Sequence, residues 1–251
     1  MARPWVVLAY HAIGDVAPEH DPDCLVHPPD KLEWQLRTLV RRGYEFTTAS
    51  GFARRLRAGP SLDGVCAVTF DDGSNDNLTA LPGILGPLGI PATVFACPGL
   101  LGEPDPYIAP ESGIRLMTAD ELCELAGLGV EIGAHTNRHV DLAEATAEEA
   151  HDEMRSCKQA LEDLLGSPVE TFAYPFCRYS GACPAAAERA GYLAAYTCDG
   201  RGGRRPFELA REMMDRSDNR VVWALKSRRR FHETLELPPL RLARRARAAL
   251  R

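Results

Sequence analysis

The sequence predicts an α/β protein whose parallel sheet is closed, or nearly closed, into a barrel. Two observations carry this. Apolar runs of strand length alternate with amphipathic stretches of helix length over most of the 251 residues, and seven or eight such units suffice to curl a parallel sheet onto itself. No linker and no internal repeat interrupts the alternation, so a single large domain is expected, long enough to bury a substantial core. A hydrophobic content of 45% beside 25% charged residues excludes a disordered or fibrous chain.

In chain order, WVVLAYH reads as the first strand. Its apolar stretch runs straight into polar residues, without the longer segment and cleavage site of a secretory leader, and no run in the chain reaches membrane-spanning length. The cytoplasm is therefore the expected compartment. KLEWQLRTLVRRG is a helix entered through PPD and closed at Gly43. YEFTT is a second strand, SGFARRLRAG a short helix and GVCAVTF a buried strand. A helix over 76–88 follows, with Pro82 placed to kink it, and PATVFAC is the next strand.

Beyond a Pro/Gly-rich loop at 98–114, Thr118 and Glu121 have the spacing of a capping box that opens the helix ADELCELAGLG. VEIGAH is a strand. Thr146 with Glu149 repeats the signal before a long helix to Leu165, closed by Gly166. TFAYPF, a helix around 184–190, YLAAYTC and a weaker strand at ELAREMM complete the pattern. SDNRVVWALKSRRRF is expected as a last helix, whereas two prolines in LELPPLRLARRARAALR break any continuous helix there. The main domain is expected over 1–225, and 226–251 as a basic tail.

The net charge of −6 conceals an asymmetry. From Lys226 onward nine Lys/Arg stand against two glutamates, a net of +7, which leaves −13 on the remainder. That balance argues against nucleic-acid binding and leaves the tail free for an anionic surface, with peripheral membrane contact the sharper reading and a solvated basic tail the plainer one. The eight cysteines are scattered and include no CxxC pair, so reduced core thiols are expected. Cys177 is singled out because it sits in a motif described below, a catalytic thiol being the less favoured reading.

Four predicted strands end in unusual polar residues: His11, the pair Asp71 and Asp72, His135, and the turn YPF at 174–176. In a parallel barrel the carboxyl ends of all strands lie on one face, so these residues converge. HTNRH places His135 and His139 at i, i+4, a spacing that lets two imidazoles reach one ion from a single turn of backbone. Two histidines and one carboxylate make the ligand set of catalytic zinc and related sites. With Asp72 as the ligand, Asp71 is free to act as general base. Taken singly, the aspartate pair is a turn and helix-cap device and the histidines are ordinary surface or core residues; their joint placement at strand ends favours the metal site.

In TFDDG and HTNRH the sequence resembles the polysaccharide deacetylases, the family-4 carbohydrate esterases of NodB type. The resemblance implies a distorted (β/α)7-type barrel and a divalent cation on Asp72, His135 and His139, most readily Zn2+, with Co2+ or Ni2+ as alternatives. It also implies Asp71 as base. The family's third motif usually reads arginine, any residue, proline, aromatic, glycine. Here it is AYPFC at 173–177, with Ala173 in the arginine position and Cys177 in the glycine position. By resemblance the Phe176 backbone N–H helps hold the oxyanion, and a backbone donor survives a change of side chain. LAYHAI at 8–13 is similar to the N-terminal signature of the poly-N-acetylglucosamine deacetylase branch, which implies His11 as general acid. Arg211 in ELAREMM is the candidate replacement for the missing arginine, a solvated charge being the alternative.

The activity so implied is hydrolysis of an N-acetyl group on an amino sugar or N-acetylglucosamine-containing conjugate, with release of acetate. An intracellular sugar conjugate is the expected substrate. Two alternatives stand beside it: an amidase of the same fold acting on a non-sugar amide, cyclic imide or ureide, and a sugar-binding module that has lost catalysis.

Overall fold

Five consecutive apolar residues buried on both faces, VVLAY, form the first strand of the computed structural model, which describes residues 3–198, 203–231 and 234. The elements follow in the order β1 (Val6–Tyr10), β2 (Ala12–Ile13), β3 (Val26–His27), α1 (Pro29–Arg41), β4 (Glu45–Thr47), α2 (Ala49–Ala58), β5 (Val65–Phe70), α3 (Asn77–Leu85) and β6 (Ala92–Ala96). Then come α4 (Ala119–Gly127), β7 (Glu131–Ala134), α5 (Ala147–Leu165), β8 (Thr171–Ala173), α6 (Cys183–Arg189), β9 (Ala194–Thr197), β10 (Leu209–Ala210), β11 (Glu212–Met213) and α7 (Arg220–Lys226). The strand-helix alternation read from the sequence is present throughout.

The main sheet runs β10-β9-β8-β7-β6-β5-β1-β11, and its strands pair in parallel. β4 lies beside the first half of β5, through Glu45 to Val65, and gives way to β6 along the second half, where Val68 faces Ala92. The stretch expected as one weak strand at ELAREMM is divided. Leu209 and Ala210 pair with β9, Glu212 and Met213 pair with β1, and Arg211 alone separates them. The two ends of the sheet meet at that residue, giving a nearly closed barrel of eight strands in a single domain.

Alternation along the strands divides the core in two. Leu8, Val68, Val94 and Phe172 point outward into the layer packed by the helices, whereas Val7, Ala67, Phe95 and Tyr196 fill the barrel interior. α1 shows how a helix joins the outer layer: Leu32, Gln35, Leu36 and Leu39 are buried at helical spacing. Tyr10 donates its hydroxyl to Gln35 Oε1 at 2.9 Å. α2 belongs to the inner layer instead. Its Ala49 N–H donates to Thr93 Oγ1 (2.9 Å) and its Ser50 N–H to Glu131 Oε1 (3.0 Å), near the starts of β6 and β7. The helix therefore covers the end of the barrel opposite the strands' carboxyl ends.

Local chemistry sets the helix limits. Both capping boxes form, at Thr118/Glu121 and Thr146/Glu149, and Gly166 ends α5 in the left-handed conformation at φ 63°. α3 runs through Pro82 and continues as a 3-10 turn at 86–88. β2 and β3 form a separate parallel pair that two-residue strands are too short to announce by periodicity. The last predicted helix is α7, capped by Asn219, which accepts from the N–H groups of Val221 and Val222. Lys226, counted from sequence as the start of the basic tail, is buried against Asp218 at 2.6 Å. Residues 232–233 and 235–251, and with them most of the proposed membrane-contacting tail, lie outside the described residues.

Phe172 is fully buried in the outer layer between Tyr174 and Tyr192. Phe172→Ala is expected to cost about 3–5 kcal/mol of stability, measured as a shift in the denaturant midpoint at unchanged slope.

Candidate active site

The carboxyl ends of β1, β5, β7 and β8 open into a cavity of about 410 Å3, lined by His11, Asp71, Asp72, His135, His139 and Phe176 among others. Sheet register brings them there. Asp71 N–H donates to Tyr10 O at 2.8 Å, which sets the end of β5 beside His11, and His135 N–H donates to Ala96 O at 3.1 Å.

Asp72, His135 and His139 offer ligand atoms that lie within 4.8 Å of one another. Asp72 Oδ1 is 3.5 Å from His135 Nε2 and 3.2 Å from His139 Nε2, and is buried without a hydrogen-bond partner. The other ring nitrogens are engaged. His135 Nδ1 is 2.8 Å from Ala173 O, and since a carbonyl only accepts, this nitrogen carries the proton and Nε2 keeps its lone pair. His139 Nδ1 is 2.8 Å from the Tyr107 hydroxyl. Burial pushes His135 down to about 3 and His139 down to about 4, so both rings are neutral, the form that binds a metal. Burial, and then the neighbouring Asp71 charge, push the Asp72 carboxyl well above the usual carboxylate range. A carboxylate here is costly without a positive charge beside it. An orphaned, buried oxygen facing two neutral imidazoles, that of His135 with its Nε2 lone pair free, fits a divalent cation.

Asp71 is held differently. Arg211, which the sequence left open as a solvated charge, is fully buried. It donates Nη1–H to Asp71 Oδ1 at 2.6 Å and Nη2–H to Oδ2 at 2.8 Å, with a further bond from Nη1 to Thr69 Oγ1 at 3.1 Å. The Phe95 ring lies 5.2 Å from the guanidinium carbon. Burial alone would raise Asp71, but the guanidinium outweighs it and holds the carboxyl well below its ordinary value. Removing either partner would strand the other charge, at about 3–5 kcal/mol. His11 stands close by, its Nε2 4.0 Å from Asp72 Oδ2, and burial lowers its pKa.

The HTNRH segment is irregular backbone. It is a loop with Thr136 (φ 61°) and His139 (φ 55°) left-handed. Asn137 N–H donates to Glu153 Oε1 and Val140 N–H to Thr136 Oγ1. Asp72 (φ 68°) and Phe176 (φ 55°) are left-handed too, a clustering of uncommon backbone that marks functional sites. Phe176 is 46% exposed, and its ring meets His139 edge-on at 4.5 Å.

Two features escaped the sequence reading. Tyr107, in the Pro/Gly-rich loop, is presented by a turn in which the buried Asp105 Oδ1 accepts from the N–H groups of Tyr107 (2.8 Å) and Ile108 (3.1 Å). An aspartate two residues before an aromatic is too common a pattern to reveal this. The cysteines also depart from expectation: Cys177 and Cys198 form a disulfide, with Cα atoms 5.2 Å apart, while the other six are free thiols. The pair lies 21 residues apart and meets because β8 and β9 are sheet neighbours, a proximity that spacing alone does not show. Bridged, Cys177 is not the free thiol of the alternative catalytic reading.

A family model described as polysaccharide deacetylase matches residues 58–195. The Bacillus subtilis (strain 168) protein YxkH, named among polysaccharide deacetylases, is 25% identical over 77% of this chain; the chain spans 64% of that relative's length. The Streptococcus pyogenes deacetylase PplD, solved in complex with acetate, superposes with a TM-score of 0.75 at 24% identity, covering 90% of this chain and 99% of its own. IcaB from Ammonifex degensii does so with a TM-score of 0.74 at 19% identity, covering 91% and 97%. These two likenesses establish the barrel, and the family match, over more than half of the sequence, establishes descent: the chain belongs to the polysaccharide deacetylase family.

Proposed function

We propose that this chain is a metal-dependent N-deacetylase that hydrolyses the N-acetyl group of an amino sugar, in a polysaccharide or N-acetylglucosamine-containing conjugate, and releases acetate. The observation that carries the reading is the unequal treatment of two adjacent carboxylates: Asp72 is left unpaired before two imidazoles, and Asp71 is clamped by Arg211.

A divalent cation held by Asp72, His135 and His139 would supply Lewis acidity towards an acyl oxygen and a more acidic water; Zn2+ suits the two-histidine, one-carboxylate set, as do Co2+ and Ni2+. The remaining work falls to the chain. Asp71 accepts the proton of the attacking water: each of its oxygens takes one guanidinium N–H and retains a further lone pair. Arg211 keeps that carboxylate ionised and correctly turned. The Phe176 N–H donates to the oxygen on which negative charge develops. In its protonated form His11 hands its proton to the departing nitrogen, which would otherwise leave as an unstable amide anion. Two partly exposed aromatic side chains that line the cavity, Tyr107 and Phe176, suit the apolar face of a sugar ring.

Metal content separates the ligands from their neighbours. Asp72→Ala should purify without the Zn2+ that the wild type binds. Tyr107→Phe, which loses the hydroxyl on His139, should bind Zn2+ about 10–100-fold more weakly in chelator competition. Turnover, read as acetate release from N-acetylglucosamine oligosaccharides, should disappear with chelator and return with Zn2+ or Co2+; an ion-loaded wild type that releases no acetate from any N-acetylated sugar refutes the reading. Asp71→Asn should keep its ion and lose turnover. His11→Ala should bind the ion normally and turn over about 10²–10⁴-fold more slowly; undiminished turnover removes His11 from the mechanism.

A further inference from the structure

The Phe176 turn has weak means of holding its own shape. Phe176 and Cys177 are consecutive left-handed residues, at φ 55° and 58°, a conformation that disfavours side chains other than glycine. The Phe176 ring meets His139 and Tyr107 edge-on but is nearly half exposed, so packing holds one side of it and leaves the other to solvent. Within the turn, Cys177 N–H donates to Tyr174 O and Arg178 N–H to Pro175 O, bonds that many relaxed turns would also make.

What distinguishes this turn is the cross-link. Cys177 Sγ is bonded to Cys198, the residue after β9, and both line the cavity. The same strand end receives Arg211: Arg211 N–H donates to Thr197 O at 2.8 Å, and its Nη2 lies 3.9 Å from Cys198 Sγ. The bridge thus fastens the turn that carries Phe176 to the strand end against which Arg211 is set. Cys66, Cys97, Cys157 and Cys183 are buried yet free, so cross-linking is confined to the pocket wall.

From this we infer that the Cys177–Cys198 disulfide is a positioning element of the catalytic pocket: it locks the Phe176 turn in its left-handed form and fixes the backbone N–H of Phe176 relative to Arg211 and the Asp72 triad. The inference rests on the deacetylase reading for its consequence in turnover, and on geometry alone for its effect on the turn. A bridge that served only stability would lower resistance to unfolding when removed and leave the chemistry of the folded protein intact.

The test uses the full chain loaded with Zn2+. Alkylation of denatured wild type, followed by mass measurement, should mark six cysteines without reductant and eight after reduction; eight marked from the start means no bridge and overturns the inference. The double variant Cys177→Ser/Cys198→Ser should bind Zn2+ as tightly as wild type, yet release acetate from an N-acetylglucosamine oligosaccharide about 10–100-fold more slowly. Cys177→Gly/Cys198→Ser should recover most of that loss, because glycine takes a positive φ without strain. Undiminished turnover in the folded serine variant overturns the inference. If wild type itself turns over no sugar, the deacetylase reading fails, and amide hydrogen exchange at 174–179 decides the structural claim: faster exchange in the serine variant supports it, and unchanged exchange sinks it.

Discussion

Two neighbouring carboxylates at the end of one buried strand cannot both stay charged without help, and the site is the solution to that repulsion. Arg211 satisfies Asp71 with two parallel hydrogen bonds. Asp72 receives no such partner, and a carboxylate in its place calls for a cation. The asymmetry leaves one carboxylate of the motif clamped and the other unpaired, the division that the proposed roles of proton acceptor and metal ligand require. It depends on a residue 140 positions away in sequence, delivered by the join between the last two strands of the barrel.

Backbone conformation sharpens this division. Asp72, Thr136, His139, Phe176 and Cys177 all adopt positive φ without being glycine. Each turns a side chain or N–H in a direction that a regular strand or helix would not, and each carries a conformational cost offset elsewhere. The offsets can be named in part. Asn137 is tied to Glu153, Val140 to Thr136, and Cys177 to Cys198. Gly73, directly after the pair, sits at φ 85°, a conformation that glycine adopts without the strain a side chain would add.

Much of the fold was legible because period and caps agreed. VVLAY and VCAVTF are apolar on both faces as parallel strands require, and the two capping boxes mark their helices to the residue. The cavity's polar residues were visible as interruptions at strand ends. Arg211 was harder, since an arginine in a weak strand looks like any surface cation until the strand is known to close the barrel. The disulfide and Tyr107 were not legible. Both depend on which loops stand next to each other above the sheet, and loop proximity leaves no periodic trace. The HTNRH spacing showed that two imidazoles can reach one point, but not that a loop with two left-handed residues would bring them there.

The division of ELAREMM at Arg211 joins architecture to chemistry. β10 and β11 complete the ring from opposite sides, and the residue between them is the one that grips Asp71. Loosening this join would release the guanidinium from Asp71 even with the helical layer still packed, so the proposed catalysis depends on a two-residue splice as well as on the depth of the core.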